Sequence, residues 1–133
     1  MKTRNASITL GIVVLLLLFF FFKRWHEPEP REMFDRTPEH LVYTRHARCR
    51  MDCRQIDSAE VREIMQKGVI NLNKTDRQAQ PCPVFALQGR TRSGESLRVF
   101  FAQCEDETKV VTCYNLETDF DCDCPGDKNK NKP

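Results

Sequence analysis

Cys49 and Cys53 stand four residues apart, and Cys122-Asp123-Cys124 brings two more thiols together near the end of the chain. On a helix the first pair projects from one side, so the four sulfurs can converge. Thiolates in that number suit a closed tetrahedral zinc shell, although Cys-x-Cys is tighter than the usual zinc spacing. The same four could instead form disulfides in an oxidising compartment. A third reading leaves Cys49 or Cys53 buried as a small apolar side chain. The other three cysteines are Cys82, held between Pro81 and Pro83, and the pair Cys104 and Cys113, which flanks a hairpin and could approach. A total of seven is odd, which excludes complete internal pairing.

His46, Arg50 and Arg54 follow one another at i, i+4 and i+8, the spacing that lines one groove. An imidazole with two guanidinium groups would suit phosphate binding and proton transfer. The plainer account has both arginines paired with Glu60, Glu63 or strand acids, and His46 bonded to a backbone carbonyl near a helix cap. Arg90 and Tyr114 could join from the strands. A thiol nucleophile would need a neighbouring base, and His46 is the one at hand in sequence.

These side chains need elements to place them. The stretch from Thr44 to Arg54 reads as a short helix: Ala47 and Met51 share one side, Arg45, Arg48 and Asp52 point outward, and the cysteines and His46, Arg50 and Arg54 form a third strip. A second helix is signalled by Asp57 and Glu60 as a capping box, by Ile56 and Val61 at the staple positions, and by Gly68 as its end. Val61, Ile64 and Met65 form its apolar face. Strands are then expected near Val69–Leu72, Val84–Gly89, Leu97–Gln103 and Lys109–Tyr114, with Leu97, Val99 and Phe101 on one face. Short turns at Arg90–Gly94 and Glu105–Thr108 make the last three an antiparallel meander. The expectation is an α+β domain: two short helices packed on a three- to four-stranded antiparallel meander.

The run from His46-Ala47-Arg48-Cys49-Arg50-Met51-Asp52-Cys53-Arg54 through Ile56 to Glu60-Val61 resembles the opening motif of the uncharacterised domain family numbered 4258. The resemblance continues through Gly68, Phe85-Ala86-Leu87-Gln88-Gly89 and Val110-Val111-Thr112, covering roughly Glu39 to Cys124. Its order of elements is similar to that of RelE-type toxin ribonucleases, which implies cleavage of RNA by basic side chains without metal. The cysteine pairs depart from the family pattern, and so does the apolar N-terminus. Both speak against a toxin role, and a fold does not carry a function.

That N-terminus is apolar from Ala6 to Phe22 and bounded by Lys2 and Arg4 before it and Lys23-Arg24 after it. As a helix it is about 25 Å long, enough to cross a bilayer at the short end of the range. Trp25, with Lys23 and Arg24, would sit at the interface. A cleaved signal peptide would show small residues at its end, whereas Phe19-Phe20-Phe21-Phe22 runs directly into charge. The expected organisation is a basic tail (1–5), a transmembrane anchor (6–22), a Pro/Glu spacer (23–38), a cysteine-rich α+β domain (39–124) and a disordered basic tail (125–133). Counting Lys and Arg favours a cytoplasmic domain, while the short basic start resembles an export signal and favours an extracytoplasmic one, which is the expectation.

The formal net charge of +2 over 133 residues excludes the strongly basic profile of a nucleic-acid binder. Gly-rich phosphate loops, nucleotide fingerprints and Gly-x-Ser-x-Gly elbows are missing from the sequence. The first expectation is a non-enzymatic binding or structural module of bacterial type. It would be single-pass in the inner membrane and stapled by zinc or disulfides, with the lipid bilayer as its one named partner. The alternative is a RelE-like ribonuclease, or a degenerate relative, acting on RNA through His46, Arg50 and Arg54.

Overall fold

The computed structural model describes residues 2–25 and 33–126, which fall in two compact units, residues 1–33 and 34–133. In the first unit α1 runs from Lys2 to Trp25, past the end of the apolar stretch. Ile8–Trp25 has a mean hydropathy of 2.1 and is exposed throughout, as befits a helix with no polar face. It is long and apolar enough to be a membrane span or a signal sequence. Lys23 and Arg24 lie in the last turn, where the negative end of the helix dipole favours cations. Most of the expected spacer, residues 26–32, lies outside the described residues, as do residues 127–133 of the expected basic tail.

The second unit is an α+β domain built on a five-stranded mixed sheet in the order β1-β5-β4-β3-β2. Its strands are β1 (Leu41–Tyr43), β2 (Val69–Ile70), β3 (Val84–Arg90), β4 (Ser96–Gln103) and β5 (Thr108–Asn115). Neighbours from β2 to β5 pair antiparallel, as the meander requires. β1 corrects the expectation of a three- to four-stranded, wholly antiparallel sheet, since it pairs parallel with β5, Tyr43 opposite Val110. Three residues are too few to display alternation, and the partner strand is remote in sequence.

Helix α2 (Arg45–Arg54) follows β1 directly. Thr44 caps its start: the hydroxyl accepts from the Ala47 N–H at 3.0 Å and donates to the Val111 carbonyl at 3.2 Å, tying the helix to β5. Gln55 ends it in the left-handed conformation (φ 56°). Its N–H bonds to the Asp52 carbonyl, and that of Ile56 to Met51, the pattern of a Schellman cap. Helix α3 (Ser58–Lys67) begins with the expected capping box, in which Glu60 N–H donates to Asp57 at 2.8 Å and Asp57 N–H to Glu60 at 3.1 Å.

Val61, Ile64 and Met65 of α3 are buried, as are Phe85 and Leu87 of β3 and Leu97, Val99 and Phe101 of β4. The strand residues share one face by alternation and register. Phe34, assigned by the sequence to the spacer, is 3 % exposed, with its ring centroid 5.4 Å from Phe85 and 5.5 Å from Phe101. The folded unit therefore starts before Glu39. Apolarity at Phe34 is the signal that the surrounding Pro, Glu and Arg residues obscured.

A basic strip under a disulfide-held strap

Residues 116–126 leave the end of β5 and form a strap. Its start is fastened to the sheet: the Leu116 N–H donates to the Ser96 carbonyl at 2.8 Å, and the Glu117 carboxylate accepts from Arg90 at 2.7 Å and from the Ser96 hydroxyl at 2.8 Å. The Ser96 and Arg90 bonds hold the Glu117 carboxyl below its ordinary pKa. Its far end is fastened to α2 by two disulfides, Cys53–Cys122 and Cys49–Cys124, with Cα separations of 6.0 and 5.8 Å. His46 Nδ1 then donates to the Pro125 carbonyl at 2.8 Å. The order of partners, 53 to 122, 49 to 124 and 46 to 125, means that the strap runs antiparallel to α2.

The four cysteines of the candidate zinc shell do converge, but as two disulfides. Sulfur in an S–S bond is not a thiolate and cannot close a zinc shell. Among the described residues no group of three or more His, Cys, Asp or Glu side chains is arranged to hold a metal ion. Cys104 pairs with Cys82, Cα atoms 5.1 Å apart, and not with Cys113 as the hairpin position suggested. Cys113 is free and fully buried opposite Val99.

His46, Arg50 and Arg54 do lie on one strip, though not in an open groove. At about 100° per residue, Arg50 and Arg54 fall between the sheet-facing side of α2, carrying Ala47 and Met51, and the strap-facing side, carrying Cys49 and Cys53. Both are buried, only 9 % and 5 % exposed. The Arg54 guanidinium lies 4.6 Å from the centroid of the Tyr114 ring, a cation–π contact. Among the described residues Arg54 has neither a hydrogen bond nor an ion pair, and its Nε is buried without a partner. The acids expected to neutralise the strip are engaged elsewhere: Glu60 with Asp57, Thr91 and Ser93, and Glu63 with Lys67 and Arg92. Of the two candidate recruits from the strands, Tyr114 joins the strip and Arg90 is drawn to Glu117.

A family model for a domain of unknown function, DUF4258, matches residues 43–115, more than half of the chain. The chain belongs to that family. Nothing matches it among curated proteins or solved structures. The DUF4258 match contains both domain helices, the strands β2 to β5 and the strip of His46, Arg50 and Arg54. It ends on the last residue of β5, so the strap, with Cys122 and Cys124, lies outside the matched region. Sequence reasoning found both halves of each clamp but missed the strap as an element, since Leu116 to Gly126 shows no helical or strand period.

Proposed function

We propose that this member of DUF4258 is a single-pass membrane protein that displays a disulfide-stapled binding or structural module and catalyses no reaction. The observation that carries the reading is the closed strip: His46, in line with the arginines, is bonded to the Pro125 carbonyl of the strap, and both arginines are buried. An RNA-cleaving site needs its acid, base and phosphate ligands within reach of the substrate. Three disulfides support a domain in an oxidising compartment, outside the cytoplasm. The apolar α1 supports an anchor there, with Lys23, Arg24 and Trp25 at the interface.

A second reading, a RelE-like ribonuclease or a degenerate relative, has the uncompensated Arg54 in its favour. The two separate on RNA cleavage by the full chain in detergent, as wild type and as His46→Ala and Arg50→Ala variants. Wild type without cleavage supports the module. Cleavage that either substitution abolishes would overturn it.

A further inference from the structure

β1 ends the sheet, with β5 on one side of it and no further strand on the other among the described residues. The His40 carbonyl accepts from the Thr108 N–H at 2.9 Å, and the Thr44 N–H donates to the Val110 carbonyl at 3.1 Å. Backbone direction alternates along a strand, so residues 40, 42 and 44 turn their polar groups towards β5 and Leu41 and Tyr43 turn theirs away. The two N–H and two C=O groups of Leu41 and Tyr43 have no backbone partner among the described residues. An edge in that state is a template for another strand.

Its flanks are shaped for one. Side chains also alternate, Leu41 and Tyr43 to one face and Val42 to the other. On the Leu41 and Tyr43 side, Arg62, Met65 and Gln66 of α3 help to line a cavity of about 390 Å³. Around Val42, which is 40 % exposed, lies one of about 630 Å³ lined by Glu39, His40, Asp106 and Glu107. The two cavities share Glu39 and Leu41, so they flank the same edge. Glu107 is paired with Lys109 at 2.8 Å, while Glu39 and Asp106 have no ion pair among the described residues.

We propose that the β1 edge docks an extended segment of a partner protein as a sixth strand, its apolar side chains towards α3 and its Lys or Arg side chains towards Glu39 and Asp106. This deepens the binding-module reading and rests on it. The backbone ladder supplies affinity, and the cavities, each meeting every second side chain of the segment, supply specificity. The unpaired acids select a cationic strand over an acidic one. Because β1 has three residues, the added ladder is short and the complex is a weak, exchanging one.

The test uses the full chain in zwitterionic nanodiscs and, as probe, an acetylated and amidated peptide that alternates lysine with valine. Backbone N–H exchange in β1 is the readout. Without peptide, the Leu41 and Tyr43 N–H groups should exchange freely, while that of Thr44, bonded to β5, is protected. Saturating peptide should slow exchange at Leu41 and Tyr43 by about tenfold or more and leave Thr44 unchanged. A peptide with glutamate in place of lysine should bind wild type at least about tenfold more weakly, and so should the lysine peptide bind Glu39→Lys/Asp106→Lys. The lysine peptide N-methylated at alternate residues keeps its charge but loses its ladder, and should not bind.

Equal binding of the N-methylated peptide would mean attraction by charge without a strand and overturns the proposal, as does failure of the lysine peptide to bind. Protection of Leu41 and Tyr43 before any peptide is added overturns it too. If that protection disappears on removal of residues 127–133, which carry Lys128, Lys130 and Lys132, the occupant is the chain's own tail. If it disappears on going from two chains to one per nanodisc, the occupant is a second copy. Should the charge-reversed variant lose its dispersed spectrum, the N-methylated peptide on wild type decides alone. None of these failures creates RNA cleavage, so the module reading stands or falls separately.

Discussion

Cys113 is the cysteine that the three disulfides leave over, and burial pushes its thiol up to about 11, with the charges of Arg54 and Arg50 pulling the other way. Its ordinary value is 9.0. Because the folded value is the higher one, the folded chain keeps the proton over a range in which the unfolded chain releases it. Stability from this residue is therefore complete below pH 9.0 and declines as pH rises towards about 11. The loss is on the order of 2 kcal/mol. Urea unfolding of wild type and Cys113→Ala at about pH 8 and about pH 10.5 measures it. The wild type should lose more stability than the variant over that interval, and equal losses would mean that the thiol is not desolvated in the folded state. Arg54 lies near the same thiol and opposes that shift, so Arg54→Gln should leave the start of the decline in place and carry it on to still higher pH.

At the scale of elements, α3 is held by its two ends. Asp57→Ala removes one half of the capping box and should cost about 1 kcal/mol. Gly68 has an ordinary φ of −61°, so its requirement is space and not backbone freedom. A Cβ there would run into the Ile64 carbonyl oxygen and lie 3.3 Å from that of Gln88. Neither is a side-chain end that can swing aside, so Gly68→Ala should cost about 1–3 kcal/mol by overpacking, read as a lower thermal midpoint. These same ends made α3 legible in the sequence, together with a clean apolar stripe at Val61, Ile64 and Met65. The strands of the meander were legible for a similar reason, since alternation at Leu97, Val99 and Phe101 fixes a face over enough residues to be read. Helix α2 was legible as a helix but not in its packing, because two of its four buried residues are arginines and charge is ordinarily read as solvent-facing. β1 and the strap escaped because what defines each is a remote partner, β5 for one and the disulfides for the other. Cysteine spacing announced that a staple existed, and only proximity in the fold chose the pairing.

For the molecule as a whole, the folded unit is small enough that its core alone gives a narrow margin, and the disulfides widen it. Cys49–Cys124 and Cys53–Cys122 span 75 and 69 residues, and one lies nested inside the other. Once either has formed, the second closes little additional chain, so their entropic contributions overlap and loss of one should cost well under half of what loss of both costs. Cys82–Cys104 spans 22 residues at the opposite end of β3 and β4 and contributes independently of the other two. All of this presupposes an environment that keeps the bridges closed, which ties stability to the redox state of the compartment in which the domain lies. Mass spectrometry of the full chain, recovered from its native source and alkylated in denaturant without reductant, tests the whole arrangement. The expected product carries one label, on Cys113, and takes up six more once a reductant is added. Seven labels before reduction would mean that the bridges do not form where the protein resides, and would remove the support for a domain outside the cytoplasm. A single label on Cys113 in denaturant, with none in the native state, would in addition show that the free thiol is shielded by the fold, as its complete burial requires.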